Sequence, residues 1–188
     1  MAGPLNPLEV TVTVTGLNPL QVAVPDLTGV IPPPLIIDNE AACLTGASNA
    51  ASVNIVYLYA FELLLPVSIV SMRYRCTATA LGNTNTGIYT FAGNVVADTG
   101  PQANTANTTK TIVYGSPIAL VAGRYFLALA CDAADTFQAI SPTVTDASRA
   151  KRATNVLAAG ALPLTTGVIV ANTSFVPCMA ALVSGGLT

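Results

Sequence analysis

The feature that most constrains the fold is a succession of short β-prone runs from residue 37 onwards. Each run is rich in β-branched and aromatic residues and is bounded by turn-forming residues such as Gly, Pro and Asn. The clearest run covers residues 52–66 and ends at Pro66, and the next covers residues 69–80. Strands with a turn signal about every eight to twelve residues are typical of β-sandwiches. The sequence therefore predicts an all-β, jelly-roll-like β-sandwich over residues 37–188.

The segment 69–80 alternates in polarity, which predicts a strand with one face in the core. Its predicted inward side chains are Val70, Met72, Tyr74 and Cys76, and its predicted outward ones are Ser71, Arg73, Arg75 and Thr77. The composition of "GNTNTG" (82–87) predicts a turn, and that of residues 99–110 predicts an exposed loop. A helical turn is an alternative within residues 146–162. Further strands are predicted at 111–123, 124–132, 137–141, 154–158, 167–171 and 174–183, the first two joined by a turn at Gly123.

The first 36 residues differ from the rest, because they hold seven of the thirteen prolines. They contain one phrase twice, as "LNPLEVTV" at 5–12 and "LNPLQVAV" at 17–24. Alternating Val and Thr predict strand-length pieces, whereas the prolines prevent long ladders. Residues 1–36 are therefore predicted to be an extended arm that pairs with other chains or with a partner's sheet edge. The predicted partner-binding residues are Leu5, Leu8, Val10, Val12, Val14, Leu17, Leu20, Val22 and Val24.

Charge is sparse in this chain: 9% of the residues are charged and 52% are apolar, against about a quarter charged in typical soluble proteins. Such a chain is expected to bury part of its surface against partners. The net charge of −2 argues against general nucleic-acid binding, which needs a basic face. The most apolar window, 56–72, is interrupted by Glu62 and Pro66, so no membrane-spanning helix is predicted. No export signal is predicted, because the first basic residue is Arg73.

The chain contains no histidine, which excludes Ser-His-Asp and Cys-His catalysis and imidazole metal sites. No catalytic residue, metal ligand or cofactor site is predicted, and the chain is not expected to be an enzyme. The acidic pairs Asp132 with Asp135 and Asp38 with Glu40 are predicted to be solvated loop carboxylates. A calcium site or half of a glycosidase dyad is the alternative for either pair.

Three further features have structural interpretations. Glu62 is predicted to point outward or to pair across strands with Arg73 or Arg75. The basic cluster at 148–152 is predicted to be a solvated loop, with contact to an acidic patch of a partner as the alternative. The four cysteines have no CxxC spacing, and most of them are predicted to be buried and reduced. They are Cys43, Cys76, Cys131 and Cys178.

Three segments resemble a family when they are taken in order. "VYLYAFELLLPVSIVSMRYRCT", "GIYTFAGNVVADTG" and "IALVAGRYFLALAC" are similar to a jelly-roll module that is common in tailed-phage virion proteins. In that module an apolar strand ends in a Pro-containing turn, and a hairpin of the "L..G.Y.LAL" type comes last. The resemblance covers about residues 50–140 and carries over no functional residues. It implies a homotrimer on the virion, either cementing the capsid or binding a host receptor.

Together these observations predict a structural virion protein, a capsid decoration (cement) protein. Its expected partners are the major capsid protein and further copies of itself, with neither nucleic acid nor membrane bound. Its expected location is the capsid surface, after assembly in the host cytoplasm. The alternative is a fibre or tail adhesin that recognises a host glycan or protein through the 99–110 loop. The side chains that could contribute to that face are Tyr57, Tyr59, Tyr89, Tyr114 and Tyr125.

Overall fold

The computed structural model describes residues 36–38, 47–53, 55–140, 149–154, 161–173 and 175–184. The chain divides into two units, Met1–Ile31 and Pro32–Thr188, and all of the described residues belong to the second unit. These residues form fourteen strands and no helix, so the predicted all-β fold is confirmed. No described segment is a helix long and apolar enough to cross a membrane. The strands are β1 (Ile36–Asp38), β2 (Ala47–Ala50), β3 (Ile55–Leu63), β4 (Val67–Arg75), β5 (Asn83–Thr90), β6 (Val95–Asp98), β7 (Gln102–Ala103), β8 (Thr109–Leu120), β9 (Gly123–Cys131), β10 (Thr136–Ile140), β11 (Ala150–Thr154), β12 (Ile169–Ala171), β13 (Val176–Pro177) and β14 (Met179–Val183).

The strands pair in antiparallel fashion in three sheets. The smaller main sheet has the order β1-β14-β4-β8, and the larger has the order β12-β11-β3-β9-β5-β6, with β7 also pairing with β5. A short third sheet has the order β13-β10-β2. One apolar core contains side chains from both main sheets, so the molecule is a β-sandwich.

The core between the main sheets is built from alternate side chains of their strands. In the larger sheet these come from β3, β5, β9 and β11, and in the smaller sheet from β4, β8 and β14. Burying one Leu, Ile or Phe side chain contributes about 1.5–3 kcal/mol relative to leaving it exposed. The largest side chains that are almost fully buried in this core are Tyr74, Phe137, Ile69, Met72, Ile88, Leu127, Leu129 and Met179.

The opposite face of the larger sheet is buried as well. A second apolar cluster lies on that face and includes Leu58, Phe126 and Leu162. Residues 161–168 lie against this cluster and are held there by two hydrogen bonds. The Tyr89 hydroxyl donates to the Pro163 carbonyl oxygen at 2.6 Å. The Val95 N–H donates to the Leu164 carbonyl oxygen at 2.9 Å. The central strands of the larger sheet are thus enclosed on both sides, which explains their continuous apolar sequence.

The prediction that residues 82–87 form a turn is wrong, because β5 runs through them. Thr84, Asn85 and Thr86 are buried, and β5 pairs with β9 from Thr84 to Thr90. Gly87 is required by close packing: a Cβ there would lie 2.5 Å from the Ala97 carbonyl oxygen and 2.7 Å from Leu162 Cδ1. Buried Thr and Asn are tolerated here because other segments supply their hydrogen-bond partners.

The alternation predicted for residues 69–80 is correct for Met72, Tyr74 and Cys76, which are all buried. It is wrong at Val70, which is only half-buried, and at Ser71, which is buried. Ile69 and Ser71 of β4 oppose the consecutive residues Val183 and Leu182 of β14, so β4 has one extra residue there, and its pairing with β8 is interrupted at the same point. Such a bulge adds one residue to the strand and reverses the phase of the side chains that precede it.

The strands on either side of Gly123 belong to different sheets. β8 pairs with β4, whereas β9 pairs with β3 and β5. The hairpin implied by the resemblance is therefore absent here, and the connection crosses from one sheet to the other. Residues 99–110 are also not one loop, because β7 and the start of β8 lie within them.

The predicted loop at 148–152 is a strand over most of its length. Ala150, Lys151 and Arg152 belong to β11, which pairs with β3 on one side and β12 on the other. Because β11 has a neighbour on each side, its backbone groups are satisfied by the sheet. The described part of 146–162 shows this strand rather than a helical turn.

Candidate functional site

The predicted partner-binding residues of the arm lie outside the described residues. They are Leu5, Leu8, Val10, Val12, Val14, Leu17, Leu20, Val22 and Val24. Ile36, the last residue of the predicted arm, is the first residue of β1 and pairs with Leu182 of β14. Asp38, predicted to lie in a solvated loop with Glu40, is the last residue of β1, and Glu40 lies outside the described part.

The carboxylate of Asp135 is buried and hydrogen-bonded, so the prediction of a solvated loop carboxylate is wrong. Its side chain is 0% exposed. The Leu81 N–H donates to its Oδ1 at 2.5 Å, and the Gly82 N–H approaches the same oxygen at 3.2 Å. The side-chain amide of Asn104 donates to Oδ2 at 2.5 Å. Asp135 therefore joins the β4–β5 connection to the β7–β8 connection.

Asn104, from the segment predicted to be an exposed loop, is the second centre of this network. Its side-chain amide also donates to Thr84 Oγ1 at 2.8 Å, and its Oδ1 accepts from the Tyr74 hydroxyl at 3.0 Å. Asp132 makes a parallel link, because it accepts from the Asn83 N–H at 2.6 Å and from the Asn83 side-chain amide at 2.8 Å. These contacts account for the buried polar residues of β5.

The network ties segments of the fold together. The hydrogen bonds that Asp132 and Asp135 accept come from N–H donors of neighbouring segments. Within the described residues no group of three or more His, Cys, Asp or Glu side chains is placed to hold a metal ion. The two aspartates fix the connections at one end of the sandwich. We call this end the bracketed end.

Replacing Asp135 tests this assignment. We expect Asp135→Asn to lower the free energy of unfolding by about 2–4 kcal/mol, because the amide keeps one oxygen for the Leu81 and Gly82 N–H groups but turns its own buried N–H groups towards the side-chain amide of Asn104, which loses its acceptor. Chemical denaturation followed by circular dichroism measures the change. The control is Asp98→Asn, since Asp98 is exposed and accepts from the Gly100 N–H through one oxygen that Asn retains. A loss in Asp135→Asn no larger than in the control would contradict a structural carboxylate.

The tyrosines proposed for an exposed recognition face are mostly in the core. Tyr57, Tyr59, Tyr89 and Tyr125 are buried, and Tyr114 is half-buried with its hydroxyl enclosed. Burial raises the pKa of Tyr57, Tyr89 and Tyr114 above the ordinary phenol value. The prediction that these five rings could form an aromatic binding face is therefore wrong.

The cysteines fall into two kinds. Cys76 and Cys131 are buried and free, as predicted for most of the cysteines, whereas Cys178 is in a disulfide. Burial raises the pKa of the Cys76 thiol to about 11 and that of the Cys131 thiol to about 12. The charge of nearby Asp135 is a smaller contribution to both of these values. Cys43 lies outside the described residues.

These thiols should resist alkylation until the protein unfolds. At pH 8 a thiol of pKa near 11 is about one part in a thousand thiolate, and the thiolate is the reactive form. We expect iodoacetamide to leave Cys76 and Cys131 unmodified in the native protein and to label both in denaturant, as measured by peptide mass spectrometry. Raising the pH towards 11 increases the thiolate fraction, so labelling of native Cys76 should then rise first. Rapid labelling of either residue at pH 8 would contradict the burial.

An apolar surface lies at the end of the sandwich opposite to the bracketed end. The β3–β4 connection (64–66) and the β8–β9 connection (121–122) meet there, because the last residue of β3 pairs with the first of β9, and the first of β4 pairs with the last of β8. Their five residues, which we call the apolar tip, are Leu64, Leu65, Pro66, Val121 and Ala122.

The apolar tip is exposed despite its composition. Leu64 exposes 85% of its surface, Leu65 exposes 59% and Val121 exposes 69%. Pro66 and Ala122 are exposed as well, and none of the five residues carries a charge. Scattered exposed apolar residues are ordinary, but a contiguous group is typical of a surface that binds another macromolecule.

A charged hollow of about 180 Å³ lies next to the apolar tip, on the outer face of the larger sheet. Ala60, Phe61, Glu62, Arg124 and Arg149 line it. Glu62 and Arg124 lie directly opposite each other on β3 and β9, while the Arg149 carbonyl oxygen accepts from the Ala60 N–H at 2.9 Å. The hollow therefore brings together side chains from three neighbouring segments.

The position of Glu62 confirms one part of its prediction and corrects the other. Glu62 is exposed, as predicted. Arg73 and Arg75 are not its cross-strand neighbours, because β4 belongs to the other main sheet and Arg124 of β9 occupies that position. The guanidinium carbon of Arg124 lies 3.9 Å from the Phe91 ring centroid, and Phe91 stacks on Phe126 at 5.0 Å.

Sequence reasoning found neither the apolar tip nor the hollow. The sequence pattern predicts the tip residues at strand ends and Arg149 in a solvated loop. A comparison with models of known protein families finds no match, and a comparison with curated protein sequences finds none either. The structure of the chain itself is thus the basis for assigning a function.

Proposed function

We propose that the protein is a structural virion component, a capsid decoration protein that binds the major capsid lattice as a homo-oligomer. The observation that carries this proposal is the apolar tip. Five uncharged residues are exposed together at one end of the β-sandwich. Exposed apolar surface of this kind is stabilised when a partner covers it.

The direction of β1 adds support. β1 pairs antiparallel with β14, and Ile36 lies opposite Leu182, whose partner in β4 is Ser71. Ser71 is four residues from the tip end of β4, roughly 13 Å at strand spacing. Ile36, the last residue of the predicted arm, is therefore the tip-facing residue of β1. An arm that pairs with another copy or with the capsid protein is consistent with this role.

Strand β8 provides an edge that such an arm from another copy could extend. Among the described residues β8 pairs with β4 alone, and its Val113 side chain is 73% exposed. The bulge and Pro117 interrupt the second half of β8, so the first half is the usable part. Edge addition between copies is consistent with the homotrimer that the jelly-roll resemblance implies. The burial of four of the five tyrosines favours this role over the adhesin.

The apolar tip can be tested by placing charge on it. We expect the double variant Leu64→Lys/Leu65→Lys to fold normally and to lose at least about tenfold in binding to capsids stripped of the protein, because two ammonium groups must then be desolvated. Cosedimentation with the capsids measures occupancy. The matched control is Leu81→Lys, a 77% exposed leucine in the β4–β5 connection at the bracketed end. Wild-type occupancy by the double variant would show that the tip is not the attachment surface.

The arm is tested by truncation. Both cores, as described, are built from residue 51 onwards. Removing residues 1–31 keeps β1, so we expect the remaining chain to unfold cooperatively and to keep its β-sheet circular dichroism. We expect the same truncation to abolish stable capsid attachment, as electron microscopy of reconstituted particles would reveal. Full decoration by the truncated chain would eliminate the arm from the attachment mechanism.

A further inference from the structure

The geometry points to the charged hollow as a binding site for an aspartate or glutamate side chain of the protein that covers the apolar tip. This inference rests on the proposed docking of the tip and deepens it by naming the group that is recognised. The hollow is lined by two guanidinium-bearing residues and one carboxylate-bearing residue, on the outer face of β3 and β9 and at the start of β11.

The charged groups around the hollow are not used by the fold. Glu62, Arg124 and Arg149 are all exposed, and the described residues contain no ion pair that involves them. Glu62 and Arg124 lie opposite each other, yet the guanidinium of Arg124 is placed over Phe91 instead. Two cations with one anion leave a net positive charge in the hollow. An incoming carboxylate therefore meets unpaired donors.

Arg124 makes one side-chain contact that favours a particular position of its guanidinium. Its guanidinium lies over the Phe91 ring, and that ring is stacked nearly parallel to Phe126, with 13° between the planes. A guanidinium stacked on a ring keeps its in-plane N–H groups free, and these match the two oxygens of a carboxylate. Pre-positioning also reduces the conformational entropy lost on binding.

The size and setting of the hollow select the kind of ligand. Its volume of about 180 Å³ is enough for one acidic side chain rather than for a large molecule. The small Ala60 side chain is among its lining residues, exposed Phe91 contacts the lining residue Arg124, and Leu64 and Ala122 of the apolar tip are two residues from Glu62 and Arg124. A single charged group surrounded by apolar contacts is the pattern of a protein interface with a polar rim.

The test uses the full-length protein and a small probe. We titrate it, at low ionic strength, with N-acetyl-glutamate N-methylamide and follow the arginine Nε–H signals by nuclear magnetic resonance. We expect the signals of Arg124 and Arg149 to shift together and to saturate in the millimolar range, as one exposed carboxylate contact allows. The glutamine analogue of the probe should shift neither. Arg75 and Arg152, exposed on other strands, are internal controls.

Substitutions in the hollow are expected to change the affinity for the probe in opposite directions. Arg124→Gln and Arg149→Gln should each weaken probe binding at least about fivefold, and Arg124→Lys should weaken it also, because an ammonium lacks the planar pair of donors. Glu62→Gln should tighten binding about threefold, since it removes a like charge from the hollow. Equal shifts at Arg75 and Arg152, or unchanged binding by the glutamine variants, would overturn the proposal. Tighter saturation by glucuronate than by the glutamate probe would overturn it in favour of an acidic sugar.

Capsid attachment separates this inference from the proposed function. If the hollow binds the glutamate probe and capsid binding still falls in Arg124→Gln, both stand. If the probe binds but charging the apolar tip leaves capsid occupancy unchanged, the tip is not the attachment surface and the carboxylate site remains. If the probe does not bind while the tip variant loses attachment, the site fails alone.

Discussion

Burial of both faces of the larger sheet is the constraint on which the rest of the structure depends. Seven consecutive residues of β9, from Tyr125 to Cys131, are buried, because odd and even positions enter different cores. A strand in that situation has to be apolar at every position. The small side chains Ala128 and Ala130 on the outer face leave room for Leu162 and its neighbours. The second core therefore determines both the composition of the strand and the path of residues 161–168.

This constraint changes the meaning of the low charge content. A chain with 9% charged residues is expected to hide much of its surface against partners. Two cores inside one sandwich account for a large part of the apolar residues without any partner. Eleven large apolar side chains nevertheless stay exposed among the described residues, and three of them, Leu64, Leu65 and Val121, lie together at the apolar tip. The case for a partner rests on this contiguous group.

The two ends of the sandwich are built in different ways. At the bracketed end Asp135 and Asn104 tie the connections together by hydrogen bonds from N–H groups. Each such bond contributes only about 1 kcal/mol net, but leaving a buried donor unsatisfied costs more. The network therefore allows few conformations of these connections. At the tip the connections are short, apolar and exposed, and a surface of that kind gains stability from contact with a partner.

The sequence was sufficient for the fold class and for most strands, because their identity depends on local alternation and on β-branched and aromatic content. It was insufficient where a position depends on distant residues. Residues 82–87 have the composition of a turn, and only partners at Thr99, Asn104 and Asp132 make them a strand. Val70 was placed on the wrong face because a bulge has no local signal. The neighbours predicted for Glu62, Arg73 and Arg75, are wrong because the order of strands in a sheet cannot be deduced from the composition of the strands.

The position of the charged hollow beside the apolar tip has an energetic consequence. Apolar contact favours association but is non-directional, so it does not fix the orientation of a partner. A partner that covers the tip also removes water from Arg124 and Arg149, and a guanidinium desolvated without a counter-charge costs more than the apolar contact returns. The partner must then present an acidic group at that point or leave the hollow open to solvent. On the proposed docking, the hollow would restrict the orientation in which a partner can cover the apolar tip.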